Sequence, residues 1–590
     1  MKINDIICIT LSVFSAVSCS FLEPETDNTR DESILDEAAY FCGPLNSVYN
    51  SLPTLFDNNM DVMTDNAVIR NQSGEYYRCA IGAMSPNKNP LDIWTNGYKN
   101  IRTLNVFMSH MVLNDDTEWR TPVRFFPFES EVDIENNLKM FWRLKGEAYA
   151  MRAYWISELL RNFGGVAEDG SVLGIPLVGD RILEVGVDDL DIPRATYEEC
   201  IKAIIDDCDS ATVACRLPDL YSGTDAVYGT SFRDHLSGAA AKAIKARALL
   251  YAASPAFNPE GDDAKKWEQA AVAAAEAIVA VGGINAAMSS RDEYYFTQIN
   301  NRDWKNNDVI MRGKVVTGNR AFENDNYPPQ LYGNALINVS QNFVEAFPDK
   351  NGYPITEDGT AYDPADPYAN RDARLALFVG YNGGTIGSSN YKLNTVEGGI
   401  DAYDPLAKTS RSGYYLKKTL RMSVNLTPGA QTATPRANIL YGLPELLLNY
   451  AEAANMAWGP SGDPEGYGFT AKDALRRILT RDNKAAGAKY LDEVIADDRD
   501  KFNEYVRLQR RIELSFEGHY YYDLRRWYAA EPDWADYINV PVNGVEITVS
   551  DSGTEYRTVE LEKRYFASPY QPIPYSEVFN AGIVQNKGWQ

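Results

Sequence analysis

The side chains best suited to chemistry lie in irregular, tyrosine-rich segments, and their types favour reversible binding. Aromatic rings supply flat faces for stacking, and amides, carboxylates and guanidinium groups supply hydrogen bonds. Residues 322–332 mix rings, amides and carboxylates over a short span, and residues 70–89 form a second such segment. The candidate binding residues are Tyr294, Tyr295, Trp304, Phe322, Asn324, Asn326, Tyr327 and Tyr332, together with Tyr76, Tyr77 and Arg78. Among them we expect Tyr327, Tyr332 and Trp304 to provide the stacking faces.

No motif for covalent or phosphoryl-transfer chemistry accompanies these residues. A nucleophile motif and a phosphate-binding loop are both missing, and the glycine-containing stretches at 382–384 and 461–463 indicate turns. A glycosidase needs two carboxylates about 5–10 Å apart, a separation that a sequence cannot show. The three histidines, His110, His235 and His519, argue against a histidine-rich metal site. We therefore predict no catalytic residue, no metal and no cofactor.

The charge balance narrows the choice of partner. The chain has 590 residues with 57 basic and 82 acidic side chains, which gives a net charge of −25. A polyanion is bound by Lys and Arg that displace its counterions, so nucleic acid is excluded as a partner. Electrostatic docking on an anionic membrane is disfavoured for the same reason. Neutral and cationic ligands remain open.

The N-terminal segment is typical of an exported, lipid-anchored protein. An apolar stretch at 6–17 follows Lys2 and is too short to span a bilayer, as in a signal peptide. Small residues precede Cys19, so we predict a signal peptide at 1–18, lipidation of Cys19 and a polar tether at 19–31. The alternative is an ordinary secretory signal with an incidental cysteine. No later stretch reaches 18 apolar residues, so attachment would depend on the lipid alone.

The remaining cysteines do not suggest a disulfide framework. They are five in number, Cys42, Cys79, Cys200, Cys208 and Cys215, and an odd count at this length argues against one. We interpret them as small buried hydrophobic residues, with a Cys208–Cys215 bridge as the alternative.

Hydrophobic periodicity predicts a mainly α protein made of one integrated unit with three parts. Residues 32–285 show helical periodicity near 32–51, 90–113, 134–163, 196–213, 236–254 and 264–281. The last two are alanine-rich, like a tetratricopeptide-type helical hairpin. Residues 286–438 are loop-rich, with strand candidates at 309–316 and 375–381, and are expected to bind the ligand. Helices resume in 439–590, at 444–458, 470–481, 500–517 and 519–528. Trp94, Trp142, Trp155 and Trp527 fall in helical periodicity and are expected in the core.

The most distinctive string is RRIELSFEGHYYYDLRRW at residues 510–527. Leu508, Ile512 and Phe516 recur every four residues and predict one buried stripe of a helix that Gly518 ends. The charged residues lie three or four positions apart, a spacing that favours ion pairs along the helix. They are Arg507, Arg510, Arg511, Glu513 and Glu517.

This string closely resembles the signature of the SusD/RagB family of outer-membrane nutrient-binding lipoproteins. Further stretches that resemble family motifs, in the same order, are 63–67, 94–105, 147–154, 163–166, 194–196, 217–218, 414–418, 450–453 and 572–589. Departures occur at Gly442, Pro444, Gln509 and Tyr520, and they put local ion pairs in doubt.

The resemblance implies a scaffold of tetratricopeptide-like helical hairpins with a loop-rich ligand surface. It also implies a lipid-anchored cell-surface protein of a Bacteroidetes-type bacterium. Such a protein sits over a SusC-like TonB-dependent transporter in the outer membrane and captures oligosaccharides for it. The alternatives are a peptide ligand, as in some relatives, or a helical-repeat adaptor that binds only protein. If the ligand is an oligosaccharide, we expect the loop aromatics to stack on its sugar rings and residues 510–527 to belong to the scaffold.

Overall fold

A computed structural model describes residues 37–54, 58–127, 130–184, 187–188, 191–261, 263–297, 308–404, 409–483 and 485–589. Its α-helices are α1 (Ala38–Phe41), α2 (Gly43–Asn50), α3 (Glu75–Ala80), α4 (Trp94–His110), α5 (Glu131–Phe163), α6 (Tyr197–Asp209), α7 (Gly238–Ala253), α8 (Ala264–Ala280), α9 (Ala321–Asn326), α10 (Gln341–Ala346), α11 (Ala373–Phe378), α12 (Leu443–Trp458), α13 (Ala471–Leu479), α14 (Arg499–Glu513), α15 (Tyr520–Tyr528), α16 (Trp534–Ile538) and α17 (Tyr575–Ala581). The prediction of a mainly α fold is confirmed.

The alanine-rich pair forms the centre of the helical scaffold. Ser237 and Asp263 cap the first turns of α7 and α8, because their side chains accept hydrogen bonds from backbone amides there. Nearly every residue of α7 is buried, and its small side chains let α5, α8 and α12 pack closely around it. The tetratricopeptide-like hairpin is therefore confirmed. No helix of the described chain is long and apolar enough to cross a bilayer.

Short antiparallel strands hold the irregular parts of the chain together. They are β1 (Ala67–Ile69), β2 (Gly165–Val166), β3 (Val172–Pro176), β4 (Arg194–Thr196), β5 (Val309–Arg312), β6 (Val316–Asn319), β7 (Ile337–Val339), β8 (Val379–Gly380), β9 (Thr385–Ile386), β10 (Tyr391–Lys392), β11 (Tyr415–Leu416), β12 (Thr434–Arg436), β13 (Ile439–Gly442), β14 (Pro541–Ser550) and β15 (Gly553–Lys563). The pairs are β1–β7, β5–β13, β6–β12, β8–β11, β9–β10 and β14–β15, and β2, β3 and β4 form one sheet.

Both strand candidates need correction. The segment 309–316 is two strands, β5 and the start of β6, with separate partners. The segment 375–381 begins as helix α11, because Asp372 accepts a hydrogen bond from the Arg374 amide and caps it. Only Val379 and Gly380 are extended there. The β14–β15 hairpin is absent from the predicted elements, although buried and more exposed positions alternate along 541–544 and again along 545–548, before the turn at 551–552.

The helix of the 510–527 string ends earlier than its apolar stripe suggests. Helix α14 stops at Glu513, and Phe516 adopts the left-handed conformation with φ of 59°, followed by Gly518 at 79°. Phe516 and Ile512 are nonetheless fully buried, as predicted. The chain thus turns sharply before α15, and the stripe continues through the turn.

The charged residues predicted to pair along the helix, Arg507, Arg510, Arg511, Glu513 and Glu517, contact other elements instead. Glu513 faces Arg291, Arg374 and Arg481 at 3.1–3.3 Å. Arg510 pairs with Asp523 and Glu452, Arg511 pairs with Asp65, and Glu517 pairs with Lys418. Arg507 lies over the rings of Trp527 and Tyr528. The predicted i, i+4 pairing is therefore wrong, because these side chains are inside the protein, where partners on other elements are nearer.

The remaining core predictions hold with two exceptions, Trp142 and Cys42, which are partly exposed. Trp94, Trp155 and Trp527 are buried, and Trp142 packs against the core at partial exposure. All five cysteines are free, and burial raises the pKa of the Cys200 thiol to about 11. The alternative of a Cys208–Cys215 bridge is wrong.

Four buried carboxyl groups make the protein less stable at acidic pH. Burial alone would raise their pKa, but paired cations hold the pKa of Glu147, Glu445, Glu513 and Asp523 at about 2. Because these values lie below those of the unfolded chain, the stabilisation is complete above about pH 4.5 and is lost as the pH falls towards 2.

We therefore expect the urea midpoint of unfolding to fall steeply below about pH 4.5. Burial also lowers the pKa of His519 to about 3, so the loss starts gradually from about pH 6.5, where an unfolded histidine takes up a proton. Urea titrations between pH 7 and pH 3, followed by far-UV circular dichroism, measure this dependence. A midpoint that stays constant down to pH 3 would contradict the assignment of these carboxylates as charged.

Candidate functional site

The two predicted binding segments converge at one end of the β1–β7 ladder. Ile69 pairs with Ile337, and the Arg70 amide donates to the Leu336 carbonyl at 2.8 Å. Since the strands are antiparallel, the chain leaving β1 towards Tyr76 and the chain entering β7 from Tyr332 leave this ladder at the same end. Segments separated by some 250 positions in sequence are thus neighbours in the fold.

Residues 321–336, here called the Tyr332 loop, are closed on themselves by backbone hydrogen bonds of 2.7–3.2 Å. The amides of Tyr332, Gly333, Asn334, Ala335 and Leu336 donate to the carbonyls of Pro329, Pro328, Asn324, Tyr327 and Asp325, respectively. A Cβ at Gly333 would lie 2.2 Å from the Tyr327 carbonyl oxygen, so this close approach requires glycine. The loop is therefore a fixed backbone framework and not a pliable segment.

Tyr332 stands at the exposed tip of this framework. It ends the short 3₁₀ turn Pro329–Leu331 in the left-handed conformation, with φ of 64°, and is 58% exposed. A non-glycine residue in this conformation is uncommon, and such strain clusters at ligand sites. The amide side chains of Gln330 and Asn334 are exposed beside it. A free aromatic face next to amide groups can stack on an apolar ligand face and bond its hydroxyls.

Several predicted contact residues are inside the protein instead. Tyr327 is 1% exposed, and its hydroxyl donates to the carbonyl of Arg421 at 2.8 Å. Asn326 is buried, and its side-chain oxygen accepts from the Ile337 amide at 3.1 Å. Because their polar atoms are used internally and their faces are covered, neither residue can contact a ligand in this structure. They position Tyr332.

Tyr294 and Tyr295 are also core residues. Each is 2% exposed, and their rings pack edge to face at 4.9 Å. The Tyr295 hydroxyl donates to the Glu513 carbonyl, which ties this segment to the end of α14. The expectation that these rings contact ligand is therefore wrong. Trp304 lies outside the described residues, and its stacking role stays a prediction.

Phe322 and Asn324 lie at the edge of the loop with partial exposure. The Arg436 guanidinium sits 5.2 Å from the Phe322 ring centroid. Arg436 also donates to buried Glu323 at 2.6 Å, so the ring, the cation and the carboxylate support each other. Phe322 thus buttresses the loop, while the Asn324 amide remains within reach of solvent.

Tyr76, Tyr77 and Arg78 lie on helix α3 and not on a loop as predicted. Tyr76 and Tyr77 are partly buried, and the Arg411 guanidinium is 5.9 Å from the Tyr77 ring. Arg411 is itself anchored, because it donates to the Ile69 carbonyl at 2.7 Å. Arg78 is exposed. Tyr76 and Tyr77 each pack against a hydrophobic core cluster, so little of either ring is left for a ligand.

The β9–β10 hairpin adds polar residues that the candidate list lacks. A Cβ at Gly387 would lie 2.7 Å from Leu331, so the hairpin turn touches the residue before Tyr332. Ser388, Ser389 and Asn390 at this turn are exposed. In the sequence, only the glycine and asparagine turn signals of 382–390 point to this hairpin.

A cavity of about 260 Å³ lies elsewhere, among α4, α5, α7 and α15. Its charged lining groups are already paired, as Arg161 with Glu158 at 2.5 Å and Glu517 with Lys418 at 2.5 Å. These paired groups have less hydrogen-bonding capacity to offer a ligand. We therefore place the candidate site at the Tyr332 loop. Within the described residues, no cluster of three or more His, Cys, Asp or Glu side chains could hold a metal ion.

Two protein-family models match the chain. A model of the SusD family matches residues 276–589, more than half of the chain. A second model, described as starch-binding associating with outer membrane, matches residues 20–250. No curated protein matches the chain.

Solved structures share the fold at low sequence identity. A SusD-like protein from Bacteroides fragilis is 21% identical, covers 95% of this chain and 99% of its own, and gives a TM-score of 0.69. A SusD-like carbohydrate-binding protein from the same species is 20% identical, with coverages of 93% and 99% and a TM-score of 0.67. A surface glycan-binding protein A from Bacteroides fluxus is 16% identical, with coverages of 94% and 100% and a TM-score of 0.57.

Proposed function

Because the chain belongs to the SusD family, we propose that it is a surface lipoprotein that captures an oligosaccharide for a SusC-like TonB-dependent transporter. The observation that carries this proposal is the exposed ring of Tyr332 on a rigid loop, flanked by amides. A pyranose ring has apolar C–H faces for stacking and hydroxyl groups for amides, and a preformed site loses little entropy on binding.

Delivery and anchoring are part of the same proposal. The signal peptide at 1–18 and the lipidated Cys19 would fix the protein to the outer membrane, and both lie outside the described residues. Residues 286–438 would supply the ligand surface, and 32–285 with 439–590 the scaffold. The family description of association with the outer membrane supports this location.

We also propose that binding occurs without cleavage. Hydrolysis of a glycosidic bond requires two available carboxyl groups, and the acidic side chains of the Tyr332 loop are Glu323 and Asp325. Glu323 is fully buried and bound to Arg436 at 2.6 Å, so it cannot reach a substrate. One carboxylate on its own does not provide the acid and base pair.

Native gel electrophoresis through neutral polysaccharides tests the function. We expect at least one gel to retard the protein among gels that contain starch, xylan, mannan or β-glucan. Chromatography of that glycan after incubation with the protein should show it intact. Retardation with released product would indicate an enzyme. Heat of binding with a peptide library alone would indicate a peptide-binding protein, and no signal with either would favour an adaptor.

We expect Tyr332→Ala to weaken binding of the retarding glycan about 5- to 30-fold. Loss of one stacking face corresponds to about 1–2 kcal/mol, and 1.4 kcal/mol is a factor of ten. Isothermal titration calorimetry measures the change. Tyr40→Ala is the matched control, because Tyr40 is 61% exposed on α1 and should not affect binding. Equal affinity of the Tyr332 variant and the wild type would refute the assignment of this ring.

A further inference from the structure

A second group of tyrosine rings lies near the Tyr332 loop and takes no part in the site described so far. Tyr368 and Tyr381 stack with ring centroids 4.5 Å apart at 23°. Tyr556, on β15, stands against Tyr368 at 5.7 Å and 86°. All three are partly exposed. We call these three residues the Tyr381 platform.

Hydrogen bonds to buried residues fix the position of the platform. The Tyr368 hydroxyl donates to that of buried Tyr414 at 3.2 Å, and the Tyr414 hydroxyl donates to Gln341 at 2.6 Å. Tyr381 then lies on Tyr368, so the two rings form a fixed flat stack with Tyr556 as a perpendicular wall. Aromatic rings held in this way bind with little loss of side-chain entropy, because they are already ordered.

The β9–β10 hairpin connects the platform to the Tyr332 loop. Tyr381 lies four positions before the start of β9, and its carbonyl accepts from the Gly384 amide. The turn at Gly387 touches Leu331 in the Tyr332 loop. Tyr381 and Gly387 are six positions apart, which limits the distance between their Cα atoms to about 20 Å even for a fully extended chain. One oligosaccharide of several sugar units can therefore reach both places.

The charge around the platform selects among ligands. Asp366 is exposed next to it, and its carboxylate contributes to raising the pKa of both Tyr381 and Tyr556 beyond the effect of burial. The phenols of Tyr381 and Tyr556 therefore stay protonated and can donate hydrogen bonds, while the Asp366 carboxylate can accept them or attract an amine. An anionic sugar would be repelled.

We infer that the Tyr381 platform is a second sugar subsite, which holds a neutral or amine-bearing ring of the same oligosaccharide that Tyr332 binds. This inference rests on the proposed function. A stacking contact at each end of one ligand adds affinity only when the ligand spans both ends. The platform should therefore matter for long oligosaccharides and not for short ones.

Calorimetry with malto-, xylo- and mannooligosaccharides of two to eight units tests the inference. For the series that binds, Tyr381→Ala should lower affinity for the longest member about fivefold and leave the shortest unchanged. Tyr381→Phe keeps the ring and loses only the hydroxyl, so it should bind the longest member more tightly than Tyr381→Ala does. If Tyr381→Ala does not fold, Tyr556→Thr is the second test. It removes the perpendicular ring from a surface hairpin, keeps a strand-forming residue and should show the same length dependence.

The outcomes separate the two proposals. Losses that are equal at all lengths, or absent at the longest, would overturn the platform while leaving the glycan-binding function intact. If the wild type binds no glycan in the series or in the polysaccharide gels, both proposals fail. The anionic polysaccharides pectin and chondroitin sulfate test the assignment of ligand charge. If they retard the protein as much as neutral polysaccharides do, that assignment is wrong.

Discussion

Replacing Glu513 with glutamine is expected to lower the free energy of unfolding by about 3–5 kcal/mol. The Glu513 side chain is fully buried and faces Arg291, Arg374 and Arg481 at 3.1–3.3 Å. Burial alone would raise its pKa, but these cations hold the pKa at about 2, so the group is charged. Glutamine keeps the shape and leaves three buried guanidinium groups without their shared anion.

Urea denaturation at pH 7 measures this change, with Glu135→Gln as the matched control. Glu135 forms an exposed i, i+4 pair with Lys139 at 2.8 Å, and such pairs contribute about 0.5 kcal/mol or less. A Glu513 variant no less stable than the Glu135 variant would mean that the three arginines are satisfied without this carboxylate.

The second large effect is expected for Phe516→Ala, which should cost about 3–5 kcal/mol of stability. Phe516 is fully buried and packs edge to face on Phe343 at 5.6 Å. Its amide donates to Asp61 at 3.0 Å, which holds the left-handed turn that follows α14. The cavity left by the ring lies in the scaffold, so protein that remains folded should keep its ligand affinity.

Denaturation and calorimetry on the same preparation separate these two roles of Phe516. Phe579→Ala is the control, because Phe579 is 73% exposed and its loss should leave stability within about 0.5 kcal/mol of the wild type. Unchanged stability of Phe516→Ala together with lost binding would place this residue in the ligand site and not in the scaffold.

The helical scaffold could be predicted from the sequence because its signals are local and periodic. The caps Ser237 and Asp263 and the alanine spacing of α7 and α8 specify a close-packed hairpin without information from distant residues. The strands of the middle segment are two to four residues long and pair with distant partners, as β5 does with β13. Pairing of this kind leaves too short a pattern in the sequence for reliable prediction.

The binding site could be predicted as a segment but not as individual side chains. Tyr327 and Tyr332 lie five positions apart in the same string, yet one is buried and the other is 58% exposed. Backbone hydrogen bonds and the close approach at Gly333 decide which ring faces out. The charges of 510–527 show the same limitation, since their spacing fits pairing along a helix while burial gives them partners on other elements.

The crystal structure of the complex with the retarding oligosaccharide tests the central claim most directly. We expect one sugar ring stacked on Tyr332, with its hydroxyls bonded to amides of the loop, and no ligand in the cavity between α5 and α15. A sugar bound in that cavity, or on a surface that leaves Tyr332 bare, would contradict the account.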